Sequence, residues 1–202
     1  MKRISLHHEY VLKGTCKDSQ LYKMKSRDDL KEKVTSVQQY RLSENKLNTR
    51  NEDIDLKYFK DDPSINNVLE SISDITKIKF NLIEVWGQFQ HPRESARIHD
   101  HVHLDDIFYK KETTPNLCGV YWVSAPLGSG DIVFQYNRNR YHESVFNITP
   151  QNHHFCLFKP GLLHYVLQNQ ASNPRIAIAF NLRAKDLSKY EWSHNVFETN
   201  RF

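Results

Sequence analysis

From residue 78 to residue 182 the chain reads as one short apolar or alternating segment after another, each closed by a turn signal. Residues 79–89 (KFNLIEVWGQF) are rich in β-branched and aromatic types, which suit a pleated, half-buried surface. Residues 118–124 (CGVYWVS) and 131–136 (DIVFQY) flank Pro126, Gly128 and Gly130, the pattern of a hairpin. Residues 155–158 and 162–166 are separated by Lys159-Pro160-Gly161, and residues 175–182 (RIAIAFNL) alternate most clearly of all. About seven or eight short strands in this order argue for a mainly β fold, a jelly roll or related barrel.

The first 77 residues read differently. A short strand is expected around residues 10–12, ended by Gly14. Ser26 followed by Asp29 resembles a capping box, and Leu30, Val34 and Val37 form one apolar stripe at helical spacing. Residues 41–60 are polar and predict a loop. Asp62 is a natural N-cap with Pro63 at the first helical position, and Ile65, Val68, Leu69, Ile72 and Ile75 line one face that should lie against a sheet. The expected organisation is an N-terminal segment, 1–77, packed on one face of a β core, 78–202. The core ends in a charged tail anchored by Trp192 and Phe197.

Composition excludes some classes. The net charge of +4 and pI near 8.8 permit an anionic partner without demanding nucleic acid. Cys16, Cys118 and Cys156 are odd in number and far apart, so they do not read as a disulfide framework, and a reducing cytoplasm is expected. Residues 1–10 lack the apolar centre of a signal peptide, and no run approaches the roughly 18 apolar residues of a membrane span.

The eleven histidines are distributed unevenly. His99, His101 and His103 fall at every second position and are followed by Asp105. On an extended strand alternate side chains share a face, so these four would project to one side. A row of imidazoles is poor core material, since each needs a partner, but neutral imidazole and carboxylate suit borderline divalent metals. His164 follows the Pro160-Gly161 turn, and Arg175 opens the last strand eleven residues later. A jelly roll brings early and late strands together, so His164 can supply a third ligand. Two histidines and a carboxylate form the facial triad of non-haem Fe(II) oxygenases, and Arg175 offers a planar fork for a carboxylate. His153 and His154, being adjacent, cannot both face such a site. His142, Arg138 and Arg140 read as a solvated loop, Asp131 as a turn residue, and Cys118 and Cys156 as small core residues.

At these residues the sequence resembles the 2-oxoglutarate- and Fe(II)-dependent oxygenases, most of all a small group found in phages and bacteria. The resemblance rests on Trp86, the row His99–His103, Gly119-Val120-Tyr121-Trp122, Ser129-Gly130, the run from Phe158 to His164, and Arg175–Asn181. It spans roughly residues 80–182 and implies a double-stranded β-helix of cupin-like form. It also implies Fe(II), O2 and 2-oxoglutarate as cofactor and cosubstrates, with hydroxylation as the expected reaction. Tyr121 and Trp122 fall where that family helps to bind 2-oxoglutarate, although Trp122 stands in place of a second Tyr.

The register of the first two ligands stays open. Chemistry favours His103 with Asp105, whereas the resemblance favours His101 with His103 or His99 with His101. No catalytic group beyond the metal ligands is expected. The substrate, whether protein side chain, nucleobase or small metabolite, and the oligomeric state are not readable. The competing expectation is a cupin-like metal protein that does not use 2-oxoglutarate; it would have no need of Arg175.

Overall fold

The computed structural model describes residues 2–6, 9–16, 20–44, 58–102, 114–136 and 144–185. His103, Asp105, Arg138, Arg140, His142, Trp192 and Phe197 lie outside the described residues. Among the described residues the chain is mainly β, with ten strands in two antiparallel sheets and two long helices.

The strands are β1 (Lys2–Leu6), β2 (Glu9–Thr15), β3 (Phe80–Gln90), β4 (Ala96–His99), β5 (Leu117–Ser124), β6 (Ile132–Tyr136), β7 (Ser144–Ile148), β8 (His154–Phe158), β9 (His164–Val166) and β10 (Arg175–Ala184). The larger sheet runs β1-β2-β8-β5-β10-β3 and the smaller β4-β9-β6-β7. Consecutive strands from β3 onward therefore cross repeatedly between the sheets. An apolar core shared by Cys118, Val120, Trp122 and Phe158 of one sheet with Ile132, Phe134, Ile148 and Val166 of the other holds them face to face.

The helices, α1 (Gln20–Ser43) and α2 (Pro63–Thr76), cover the opposite face of the larger sheet. Leu30, Val34 and Val37 of α1 and Ile65, Val68 and Ile72 of α2 pack with Ile176, Ile178 and Phe180 of β10. Each such side chain contributes about 1.5–3 kcal/mol when fully buried. Helix α2 starts where its sequence says it should. The Asp62 carboxylate accepts from the backbone N–H of Ser64 and Ile65, and Lys77 ends the helix in the left-handed region at φ 62°.

Three expectations need correction. Helix α1 begins before Ser26 and extends into the expected 41–60 loop, because polar residues of good helical propensity continue beyond its apolar stripe at both ends. The expected strand at 10–12 is the middle of β2, which with β1 forms a hairpin added to the edge of the larger sheet at β8. Strand β7 occupies part of a stretch expected to be loop. It pairs on one side only, with β6, at the edge of the smaller sheet. No helix among the described residues is long and apolar enough to cross a membrane.

The cap of α2 generates a stability prediction. Asp62 also forms an ion pair with Lys33 of α1, linking the two helices. Asp62→Ala should lower unfolding free energy by about 1 kcal/mol through loss of the cap. Asp62→Asn, which keeps a capping oxygen but not the charge, should lose less. Urea denaturation with an unchanged m-value is the check.

Candidate metal centre and anion pocket

Strand β10 runs between β3 and β5, and its alternation divides the molecule. Ile176, Ile178, Phe180 and Leu182 face the helices. Arg175, Ala177, Ala179 and Asn181 fall at the alternate positions, toward the interior between the sheets. Arg175 and Ala179 line a pocket there, together with Gln88, Trp122, Phe158 and three histidines.

Those histidines are His99, His101 and His164, whose ligand nitrogens lie within 4.8 Å of one another. His99 ends β4 and is the register partner of His164 at the start of β9. Their ring centroids are 4.3 Å apart. His101 lies just beyond β4, its backbone N–H donating to the Pro160 carbonyl, and its ring stacks on that of His99 at 5.5 Å and 14°. The period-two alternation thus does bring His99 and His101 to one side, but the strand ends at His99. The Asp100 carboxylate accepts from Val102 N–H at 3.1 Å, the local bond by which Asp favours a turn over an extended chain. The strand pairing therefore stops short of Val102. His103 and Asp105 lie outside the described residues, and among the described residues the pair that stands with His164 is His99 and His101.

Hydrogen bonds assign the same tautomer to all three rings. Nδ1 of His99 lies 2.7 Å from the Arg97 carbonyl oxygen, and Nδ1 of His164 lies 2.9 Å from that of Leu162. A carbonyl can only accept, so each Nδ1 carries the hydrogen and donates it. Nδ1 of His101 faces the Asn181 side-chain oxygen at 2.7 Å. In each neutral ring Nε2 then carries the lone pair. An imidazole held by a hydrogen bond at its other nitrogen is how proteins orient a metal ligand. The pocket walls are aromatic: Phe158 meets His164 edge-on at 4.6 Å, and Trp86 tilts against His101 at 5.5 Å.

Arg175 is 3% exposed. Burial pulls its guanidinium down to about 10, which still leaves it charged at neutral pH. Its Nη1 donates to the Gly130 carbonyl at 3.3 Å, while Nε has no hydrogen-bond partner. Gly130 has φ 91°, and a Cβ there would lie 2.1 Å from the Leu167 carbonyl oxygen, so only glycine permits this turn beside Arg175. Ser129, one residue earlier, is also buried with its hydroxyl unpartnered. Arg175 has no carboxylate partner among the described residues. A buried cation without a counter-charge is costly, and the pocket is suited to an anion.

The two aromatic residues expected at the cosubstrate site separate. Trp122 lines the pocket. Tyr121, its neighbour on β5, points the other way into the helix-covered core, with its hydroxyl 3.2 Å from Nδ1 of His153. Adjacent strand residues face opposite sides, so Tyr121 cannot share the site with Trp122. His153, at φ 65°, and His154 are not among the pocket residues. Cys118 and Cys156 are buried core thiols, and burial pushes Cys156 up. The residue that reading the sequence left without a role is Asn181, the last letter of the closing strand motif; its partner His101 is 80 positions away.

Burial pushes the His164 imidazole down to about 3 from 6.5; His99 and His101 add to the effect and the Leu162 carbonyl opposes it. Between those values the unfolded chain takes up a proton that the folded chain refuses, so folding stability falls as pH drops from about 6.5 toward 3. The slope from this group is at most about 1.4 kcal/mol per pH unit. Denaturation of metal-free protein across that range should show it, and His164→Asn should flatten the dependence.

No family model matches the chain, and no curated protein matches it. Solved structures do. The viral collagen prolyl hydroxylase of Paramecium Bursaria Chlorella virus-1, solved as its 2OG complex, aligns with a TM-score of 0.57 at 15% identity, covering 89% of this chain and 98% of that one. The non-haem alpha-ketoglutarate-dependent carbocyclase SnoK of nogalamycin biosynthesis aligns at 0.56 and 10% identity, covering 85% and 78%. A Pseudomonas putida prolyl-4-hydroxylase aligns at 0.54 and 12% identity, covering 86% and 87%. At such identities the likeness is one of fold: the chain shares the fold of these oxygenases.

Proposed function

We propose that this protein is a non-haem Fe(II)- and 2-oxoglutarate-dependent dioxygenase, a hydroxylase built on a double-stranded β-helix. The observation that carries the reading is the pairing of three tautomer-fixed imidazoles with a buried, under-partnered arginine in one pocket. The donor set fits the group: neutral imidazole nitrogens suit borderline divalent iron, and the Nδ1 hydrogen bonds leave each ring its Nε2 lone pair as donor.

His99, His101 and His164 would hold the metal. Arg175 would receive the distal carboxylate of 2-oxoglutarate through a charge-assisted pair. The small side chains Ala177 and Ala179 leave room between the two ends of the site, and Trp122 and Phe158 exclude water along its wall. His99 is the exposed member of the cluster, so an organic substrate would approach past it. When bound, iron with O2 and 2-oxoglutarate supplies the oxidising chemistry, releasing succinate and CO2 while an oxygen atom passes to the substrate. The fold neighbours are named as hydroxylases and as a carbocyclase, and of these outcomes hydroxylation is the one proposed for this chain. A cupin-like metal protein without 2-oxoglutarate leaves the buried Arg175 unexplained.

Succinate formation from 2-oxoglutarate with iron and ascorbate is the activity test; its absence in metal-loaded wild type would remove the assignment. His99→Ala, His101→Ala and His164→Ala should each abolish Fe(II) binding, whereas His103→Ala should retain it. Arg175→Ala should weaken 2-oxoglutarate binding by about one and a half to three and a half decades, from roughly 2–5 kcal/mol for a truncated charge pair. Metal affinity should be unchanged in that variant. Equal 2-oxoglutarate affinity in wild type and Arg175→Ala would remove Arg175 from the site.

A further inference from the structure

We propose that Glu84 is a positioning residue for the metal centre, acting through Asn181 on His101. The inference rests on the metal reading above for its purpose, but its geometry stands apart from it. Asn181 is completely buried on β10 and is the register partner of Glu84 on β3. Its side-chain Nδ2 donates to the Glu84 carboxylate, while its Oδ1 faces Nδ1 of His101 at 2.7 Å. The pairing of β10 with β3 shifts register immediately after this pair, with Asn181 opposite Glu84 but Leu182 opposite Leu82. Such bulges often re-aim a side chain next to a site.

The chain of bonds has a direction. An amide can present either end to an imidazole, and the two ends select opposite tautomers. If oxygen faces Nδ1, that nitrogen must carry hydrogen and Nε2 keeps the lone pair that binds metal. If the NH2 faces Nδ1, the hydrogen moves to Nε2 and the ligand is lost. The Glu84 carboxylate oxygen accepts from the Asn181 NH2, so this bond holds the amide in one orientation, the one that leaves the lone pair on Nε2. His99 and His164 need no such device, because their partners are backbone carbonyls that cannot reverse. His101 alone of the three depends on a reversible partner, and Glu84 removes the ambiguity.

The test uses near-isosteric variants of the full chain. Glu84→Gln can donate as well as accept, so the Asn181 amide can turn over. Long-range 1H–15N correlation spectra of the metal-free protein report the tautomer of each histidine, with His101 assigned by its loss in His101→Gln. The expected result is Nδ1–H at His101 in wild type and a substantial Nε2–H population in Glu84→Gln. Co(II) affinity should fall about 10–100-fold, as for other outer partners of metal ligands. The double variant Glu84→Gln/Asn181→Asp exchanges carboxylate and amide. The carboxylate at position 181 then accepts both from His101 and from the amide at position 84, so the Nδ1–H tautomer and Co(II) affinity should return. A merely structural role would not predict that rescue. A pure Nδ1–H signal and unchanged Co(II) affinity in Glu84→Gln would overturn the proposal. So would a double variant no better than the single. Failure of wild type to bind Co(II) would instead count against the metal assignment, and the tautomer spectra would still judge the relay.

Discussion

The site depends on one strand having only two sides. Strand β10 lies between β3 and β5, so its side chains must go either to the helices or to the space between the sheets. Large apolar residues take the helix side and hold α1 and α2 in place. The other side carries two alanines between an arginine and an asparagine; Arg175 and Ala179 line the pocket, and Asn181 holds His101, which lines it too. A one-residue slip would bury Arg175 and Asn181 under the helices and direct Ile178 and Phe180 at the histidines. The helix layer, though remote from the chemistry, therefore fixes the register on which the site depends.

The pocket holds polar groups against the general preference for burying them only when paired. Each imidazole is held through Nδ1, and Arg175 meets part of its own requirement through the Gly130 carbonyl while its Nε has no hydrogen-bond partner. Aromatic walls sharpen both, since a low local dielectric keeps His164 neutral and strengthens the field of the guanidinium. The same groups are costly to bury alone, and the proposed cation and anion would offset that cost.

Much of this was legible in the residues themselves. The alternation of residues 175–182, the order of His164 and Arg175, and the cap at Asp62 each carry a local physical signal, and each reads the same way in the structure. The position of Trp122 against Tyr121 was legible too, because neighbours on a strand cannot share a face; the family resemblance had placed them together. The end of strand β4 at His99 was harder to see, since the next residue, Asp100, bonds its own local backbone. The role of Asn181 was not locally encoded. It arises from contacts with Glu84 and His101, residues 97 and 80 positions away, brought together by sheet pairing.

If one pocket holds iron through histidine and 2-oxoglutarate through iron and Arg175 together, titrating 2-oxoglutarate into Fe(II)-loaded protein without oxygen should produce a metal-to-ligand charge-transfer band in visible absorption. The band should grow and saturate at one equivalent, and should be absent from His164→Ala. An iron-loaded protein that shows no band at any 2-oxoglutarate concentration would rule out the shared site.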